Sequence, residues 1–223
     1  MQISVSHGHL EAQLRPEDGP LRGAAVVCHP HPLHGGTMHT KAVFRTAQAL
    51  NSVGIRALRF NFRGVGHSTG SYDDGMGEQE DVKAALDFLE TQTPGVPLFL
   101  AGFSFGSIVG LRVAQEDPRV RACLGLGLPL ASYDFSFLAE LNRPVRIVQG
   151  EEDQFGSGAA VAEFLKELGP HISLVRIPKS DHFFHDRFPA LQEAVSSFFL
   201  PHGPAAHLLL ADDSPRPAES EAS

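Results

Sequence analysis

Gly102, Phe103, Ser104, Phe105 and Gly106 stand between an apolar run, Pro97–Ala101 (PLFLA), and a stretch of helical spacing, Ser107–Gln115. A serine at the tip of a tight strand–turn–helix has its Oγ pushed clear of the sheet, and side chains two positions to either side would collide. Glycine at 102 and 106, with small Ser107 following, meets that requirement. The helix behind the serine brings the positive end of its dipole and a free N–H, so the backbone of Phe105 is placed to donate to a developing oxyanion. The chemistry read here is nucleophilic attack by Ser104.

A serine hydroxyl needs a base, and the base needs an acid to orient it. The G-x-S-x-G pattern asks for an acid and then a histidine, each in a loop after a later strand. VRIVQG ends at Gly150 and runs into Glu151, Glu152 and Asp153; SLVRIP runs into Lys179, Ser180, Asp181 and His182. We take Asp153 as the acid, because its short carboxylate can be held rigidly against an imidazole, and read the two glutamates as solvated loop charges. His182 is taken as the base over His185, which already enters the helical stretch that follows. Asp181 adjoins His182 and would point elsewhere, as a loop hydrogen-bonder.

His29, His31, His34 and His39 crowd the loop HPHPLHGGTMH after the run AAVVC. Their spacing in a Pro/Gly loop matches no zinc pattern, and no cysteine or acid joins them, so no metal is expected. The loop in this position supplies a second oxyanion N–H in enzymes with such a serine. Pro30 and Pro32 cannot donate, which leaves the backbone of His31, while Gly35 and Gly36 let the chain pass close to the site. The segment NFRGVGHS, 61–68, contains a G-x-G but lacks the spacing of a dinucleotide fingerprint. It reads as a structural turn in which Arg63 ties neighbouring loops, and Gly70–Gly77 reads as a solvated loop. No cofactor is expected.

These residues require a scaffold that brings distant loops together. From residue 24 onward, short apolar runs alternate with amphipathic stretches, which is the pattern of a parallel sheet covered by helices. Strands are expected at Ala24–Cys28, Ile55–Phe62, Pro97–Ala101, Val120–Leu126, Val145–Val148 and Ile172–Ile177. Helices are expected at Lys41–Leu50, Glu78–Glu90, Ser107–Gln115, Ala159–Leu168 and Pro189–Phe199. Ile3–Val5 and Leu10–Leu14 are too close for a helix between them and read as an antiparallel hairpin. The expected fold is one α/β domain, 1–202, with helices on both faces of a mostly parallel sheet. Residues 203–223, rich in Ala, Pro and Ser with four acids and one arginine, read as a mostly disordered tail in which Leu208–Leu210 could dock.

With 223 residues, 42% of them hydrophobic and 20% charged, the chain has the make-up of a globular protein. Its formal charge of −8, without a Lys/Arg block, argues against nucleic acid as a partner. Two cysteines in apolar runs, Cys28 and Cys123, read as reduced core thiols. No signal peptide or membrane span is read, so a cytoplasmic monomer or homodimer without a membrane partner is expected. Sixteen phenylalanines and no tryptophan make the aromatic content almost wholly apolar. Phe103, Phe135, Phe155 and Phe183 are the candidates for lining a substrate pocket.

Together HPHPLHGGTM, RFNFRGVGHSTG, GFSFG, GEEDQF and SDHFF, in that order over roughly 20–200, resemble the α/β-hydrolase superfamily. Within it they look like the compact bacterial serine hydrolases related to dienelactone hydrolases. The resemblance implies Ser104 as nucleophile, Asp153 as acid and His182 as base, in agreement with the reading of the residues alone. Dienelactone hydrolases proper use cysteine, so serine here argues for ordinary ester chemistry. Relatives often carry a cap between the sixth and seventh strands. Pro129–Pro144 has room for only one short helix, so a minimal cap or none is expected. The function expected is cleavage of small carboxylic esters. A thioesterase or peptidase with the same triad and a non-catalytic scaffold are the alternatives.

Overall fold

The computed structural model describes residues 1–210. Eight strands form one sheet: β1 (Gln2–Val5), β2 (Gly8–Arg15), β3 (Gly23–Cys28), β4 (Ile55–Phe60), β5 (Leu98–Phe103), β6 (Val120–Leu126), β7 (Val145–Gly150) and β8 (Ile172–Ile177). Their spatial order is β1-β2-β4-β3-β5-β6-β7-β8. β1 and β2 pair antiparallel through Ile3 and Leu10, and β2 joins β4 antiparallel; all pairs from β4 to β8 are parallel.

Continuous apolar runs become the central strands because both faces of the sheet are covered. In β3 the alternation of side chains splits one run between two cores. Ala24, Val26 and Cys28 face one cluster with α2 (Met76–Gln92), α3 (Phe105–Glu116) and α4 (Gly158–Leu165). Ala25 and Val27 face the other, with α1 (Lys41–Asn51) and α5 (Phe188–Ser196). β5 divides in the same way, Leu98 and Leu100 to the first cluster, Phe99, Ala101 and Phe103 to the second. Cys28 and Cys123 are buried free thiols within this packing, and burial pushes Cys123 up to about 12.

The strand order reverses at β3, which has β4 on one side and β5 on the other. At such a switch point the loops leaving the carboxyl ends of adjacent strands diverge and open a crevice. The loops after β3, β5, β7 and β8 all leave that edge. Between β6 and β7 the chain forms a single short 3-10 turn, Ser136–Glu140, and no cap domain. Arg63 ties the turn after β4 to α2, donating from its backbone N–H to Asp81 Oδ2 and from its guanidinium to Asp81 Oδ1, each at 2.8 Å.

One boundary differs from expectation. Residues 203–210 are part of the packed body rather than a tail. Ala205 is buried, Leu209 nearly so, and Leu210 N–H donates to Arg22 O at 3.0 Å while Arg22 Nε donates back to Leu210 O. Leu208 and Leu209 join the second core cluster, so local composition was overridden by apolar contacts from the start of β3 and β5. The rest of the expected tail, 211–223, lies outside the described residues. Among the described residues no helix is long and apolar enough to cross a membrane.

Candidate active site

The turn from β5 into α3 holds Ser104 at φ 55° and ψ −120°, a conformation that costs a non-glycine residue backbone strain. Two hydrogen bonds brace the strained residue: Ser104 N–H donates to Leu126 O (2.9 Å), and Ser107 N–H to Ser104 O (2.8 Å). The flanking glycines are required by contact. A Cβ on Gly102 would lie 2.1 Å from Gly106 O, and one on Gly106 would lie 2.5 Å from His29 O.

Three loops converge on this serine. His182 Nε2 lies 3.0 Å from Ser104 Oγ, and His182 Nδ1 lies 2.7 Å from Asp153 Oδ2. A carboxylate can only accept, so Nδ1 carries the proton and Nε2 is left to accept from the serine hydroxyl. Asp153 and His182 are buried, whereas Glu151 and Glu152 are exposed. Asp181 accepts from the backbone N–H of His185 (3.0 Å) and pairs with His185 Nδ1 (2.6 Å), on the exposed side of the loop.

Asp153 is itself held. Its Oδ1 accepts from Phe155 N–H at 2.8 Å, and its Oδ2 accepts from Gln149 Nε2 at 2.8 Å. Gln149, fully buried near the end of β7, also accepts from Leu128 N–H (2.7 Å) and donates to Gly156 O (2.7 Å). It therefore couples the acid loop to the chain leaving β6. The imidazole of His182 is fenced by rings, with centroids of Phe155 at 4.7 Å, Phe103 at 5.1 Å and Phe183 at 5.2 Å. Gly127, at φ 56°, leaves room for it, since a Cβ there would lie 3.3 Å from the ring.

On the other side of Ser104 stands the histidine loop. Among the described residues, the backbone N–H groups of Phe105 and His31 have no hydrogen-bond acceptor. The loop is rigid for identifiable reasons. Gly36 N–H donates to His31 O (3.0 Å), Met38 N–H to Asn61 Oδ1 (2.8 Å), and Phe62 N–H to His29 Nε2 (3.0 Å). His29 Nδ1 in turn faces Pro30 O at 2.6 Å, so both ring nitrogens of His29 are spent on the fold. Burial pushes His29 down to about 4, which keeps it neutral. The His31 ring stacks on His34 at 4.3 Å and its Nε2 meets Tyr72 OH at 3.2 Å. Burial, and then the neighbouring His34, hold His31 below the ordinary histidine range.

Two cavities of about 170 Å³ each open at Ser104. One is walled by His182, Phe183 and the glycines of the histidine loop, the other by Phe105, Pro129, Ser132 and Tyr133; His31, His34 and Phe155 border both. Roomier depressions of about 340 and 460 Å³ lie at Arg15–Asp18 and at the start of β5, away from Ser104.

Of the four phenylalanines expected at the pocket, Phe155 and Phe183 line it, at 40% and 42% exposed. Phe103 and Phe135 do not. Phe103 faces inward from β5 and sits beneath His182 in the second core, and Phe135 is packed with Phe137 in the first. Both are buried because the alternation of β5 and the short 3-10 turn aim them at helices rather than at the crevice. Sequence reasoning missed Gln149, Gly127, Tyr72 and Tyr133. Gln149 did leave a signal, as a polar residue ending an otherwise apolar strand. Tyr72 lay in a stretch read as a solvated loop, and only the fold brings its hydroxyl to His31.

This arrangement agrees with the likeness of the chain to known proteins. Residues 24–129 match the family model described as serine aminopeptidase, S33. An uncharacterized protein of Rickettsia prowazekii is 33% identical over 202 residues, covering 86% of this chain and 85% of that one. A lidless α/β serine hydrolase from Xanthomonas campestris is 35% identical, with a TM-score of 0.84 over 95% of this chain and 94% of that one. An α/β serine hydrolase homologue from Coxiella burnetii is 36% identical, with a TM-score of 0.83 over 88% and 94%. The chain belongs to the α/β serine hydrolases.

Proposed function

We propose that the protein hydrolyses small carboxylic esters through an acyl-enzyme on Ser104. The observation that carries the proposal is the buried chain of contacts from Ser104 Oγ to His182 (3.0 Å) and from His182 to Asp153 (2.7 Å), with the serine held on a strained turn. Ser104 Oγ attacks the carbonyl carbon as His182 Nε2 takes the hydroxyl proton. The imidazolium is stabilised by Asp153, and the oxyanion is held by the N–H groups of Phe105 and His31. Collapse of the intermediate breaks the C–O bond, and His182 returns the proton to the departing alkoxide. Water then attacks the acyl-serine, its proton passing to His182 and on to Ser104 Oγ as the acid leaves. One preorganised oxyanion donor is worth ~10²–10³-fold in rate, which explains why the histidine loop is pinned at so many points.

The name of the matched family model raises aminopeptidase activity as a second reading. An aminopeptidase needs a carboxylate to hold the substrate's α-ammonium. Among the described residues, neither cavity at Ser104 has an Asp or Glu in its wall, which favours uncharged esters. The 3.0 Å approach of His182 to Ser104 favours catalysis over a scaffold role. Hydrolysis of short p-nitrophenyl esters, abolished in Ser104→Ala and accompanied by fluorophosphonate labelling of Ser104, is the expected result. A broad ester panel without turnover and without labelling overturns the proposal.

A further inference from the structure

The two cavities at Ser104 are equal in volume, but His182 stands in the wall of only one. In acyl transfer the imidazolium must hand its proton to the leaving oxygen, so the alcohol portion lies on the His182 side. That leaves the cavity beside Phe105 for the acyl chain. Behind it lies a third cavity of about 180 Å³, which reaches Ile108, Val109 and Arg112 and shares two wall residues with the acyl cavity, Phe105 and Tyr133. Phe105 cannot yield. It is buried, with His31 at 4.9 Å and Phe62 and Tyr72 each at 5.9 Å around its ring. Tyr133 is half-buried on the short connection between β6 and β7, and its ring meets Phe105 at 6.3 Å.

Resting on the ester reading, we infer that the Phe105 cavity binds the acyl group and that Tyr133 is the partition that limits its length. At ~30 Å³ per water-sized group, the cavity accommodates five or six such groups, which sets the preferred substrates at acyl chains of up to about six carbons. Truncating Tyr133 joins the two spaces and lets a longer chain run along Ile108 and Val109, the apolar side of a cavity whose other wall carries Asp74, Arg112 and Asp134.

The test is a p-nitrophenyl ester series from acetate to decanoate on the wild type, Tyr133→Ala and Tyr133→Phe. In the wild type, kcat/KM climbs by up to ~4-fold per methylene and falls beyond hexanoate. In Tyr133→Ala the octanoate-to-butanoate ratio rises at least ~10-fold, because two or more extra methylenes are buried. Tyr133→Phe keeps the wild-type profile. Exchanging the alcohol at fixed acyl group leaves Tyr133→Ala and the wild type with the same ranking, whereas Phe183→Ala changes it. Should Tyr133→Ala fail to fold, Tyr133→Val is expected to give the same shift in part. An unchanged acyl profile with turnover intact overturns the inference, as does a change in alcohol ranking in Tyr133→Ala. A wild type that neither turns over any ester nor labels with fluorophosphonate overturns the ester reading, and the inference with it.

Discussion

Gln149 Nε2 and His182 Nδ1 meet the same oxygen of Asp153, at 2.8 Å and 2.7 Å. The carboxylate is thereby held against the imidazole by a residue whose hydrogen bonds go to Leu128, Asp153 and Gly156 rather than to His182 or Ser104. Gln149→Leu leaves the buried Leu128 N–H without its acceptor, which costs about 1–3 kcal/mol, measurable by chemical denaturation. Misplacement of the acid by as little as an ångström is expected to lower kcat by up to ~10²-fold with KM little changed, read from ester kinetics.

Ser104 occupies its positive-φ turn at an energetic cost of about 1 kcal/mol or more. Ser104→Gly removes that cost and is expected to raise the denaturation midpoint above that of Ser104→Ala, while both abolish turnover. Equal midpoints for the two variants would show that the turn stores no strain.

At Gly106 the reverse holds. A methyl group there meets the carbonyl oxygens of His29 and Cys28 at 2.5 and 2.6 Å, and both are backbone atoms that cannot swing away. Gly106→Ala is expected to destabilise by about 1–3 kcal/mol through overpacking. Because the displaced atoms lie where β3 passes into the histidine loop, ester turnover should fall more than the lost stability accounts for.

His29 contributes a pH dependence of known sign. Its folded pKa is down at about 4 through burial, against about 6.5 when unfolded. The unfolded chain therefore binds the extra proton between those values. The stabilisation is complete above pH 6.5 and is lost as pH falls toward 4, by an amount on the order of 3 kcal/mol. Denaturation midpoints of the wild type and His29→Gln, compared at pH 7 and pH 4.5, should converge at the lower pH. A difference between the two that does not change with pH would contradict this account.

The sequence was most legible where one physical constraint acted alone. Val120–Leu126 and Ile172–Ile177 are strands with the boundaries that their apolar runs predict. β5 runs two residues past Ala101 to Phe103, because pairing with β6 continues through Gly102 and Phe103. Glycines around Ser104 were readable because a tight turn tolerates no side chain there. Phe103 and Phe135 were expected at the pocket and lie in the core, since a phenylalanine faces one or the other according to strand alternation and helix placement. Leu208 and Leu209 were legible as part of a patch that could dock, but the place where it docks was not. A polar, proline-rich context reads as unstructured until the fold supplies the apolar surface that receives two leucines.

The connection from β6 to β7 holds one 3-10 turn and no cap, and this shapes traffic at Ser104. Among the described residues no lid stands over Ser104, so none of them has to swing aside for a molecule to reach it. Discrimination then falls to the fixed contours of the cleft. Under the proposed ester reading, shielding of the reacting carbonyl from bulk solvent falls to the substrate's own bulk against Phe155 and Phe183.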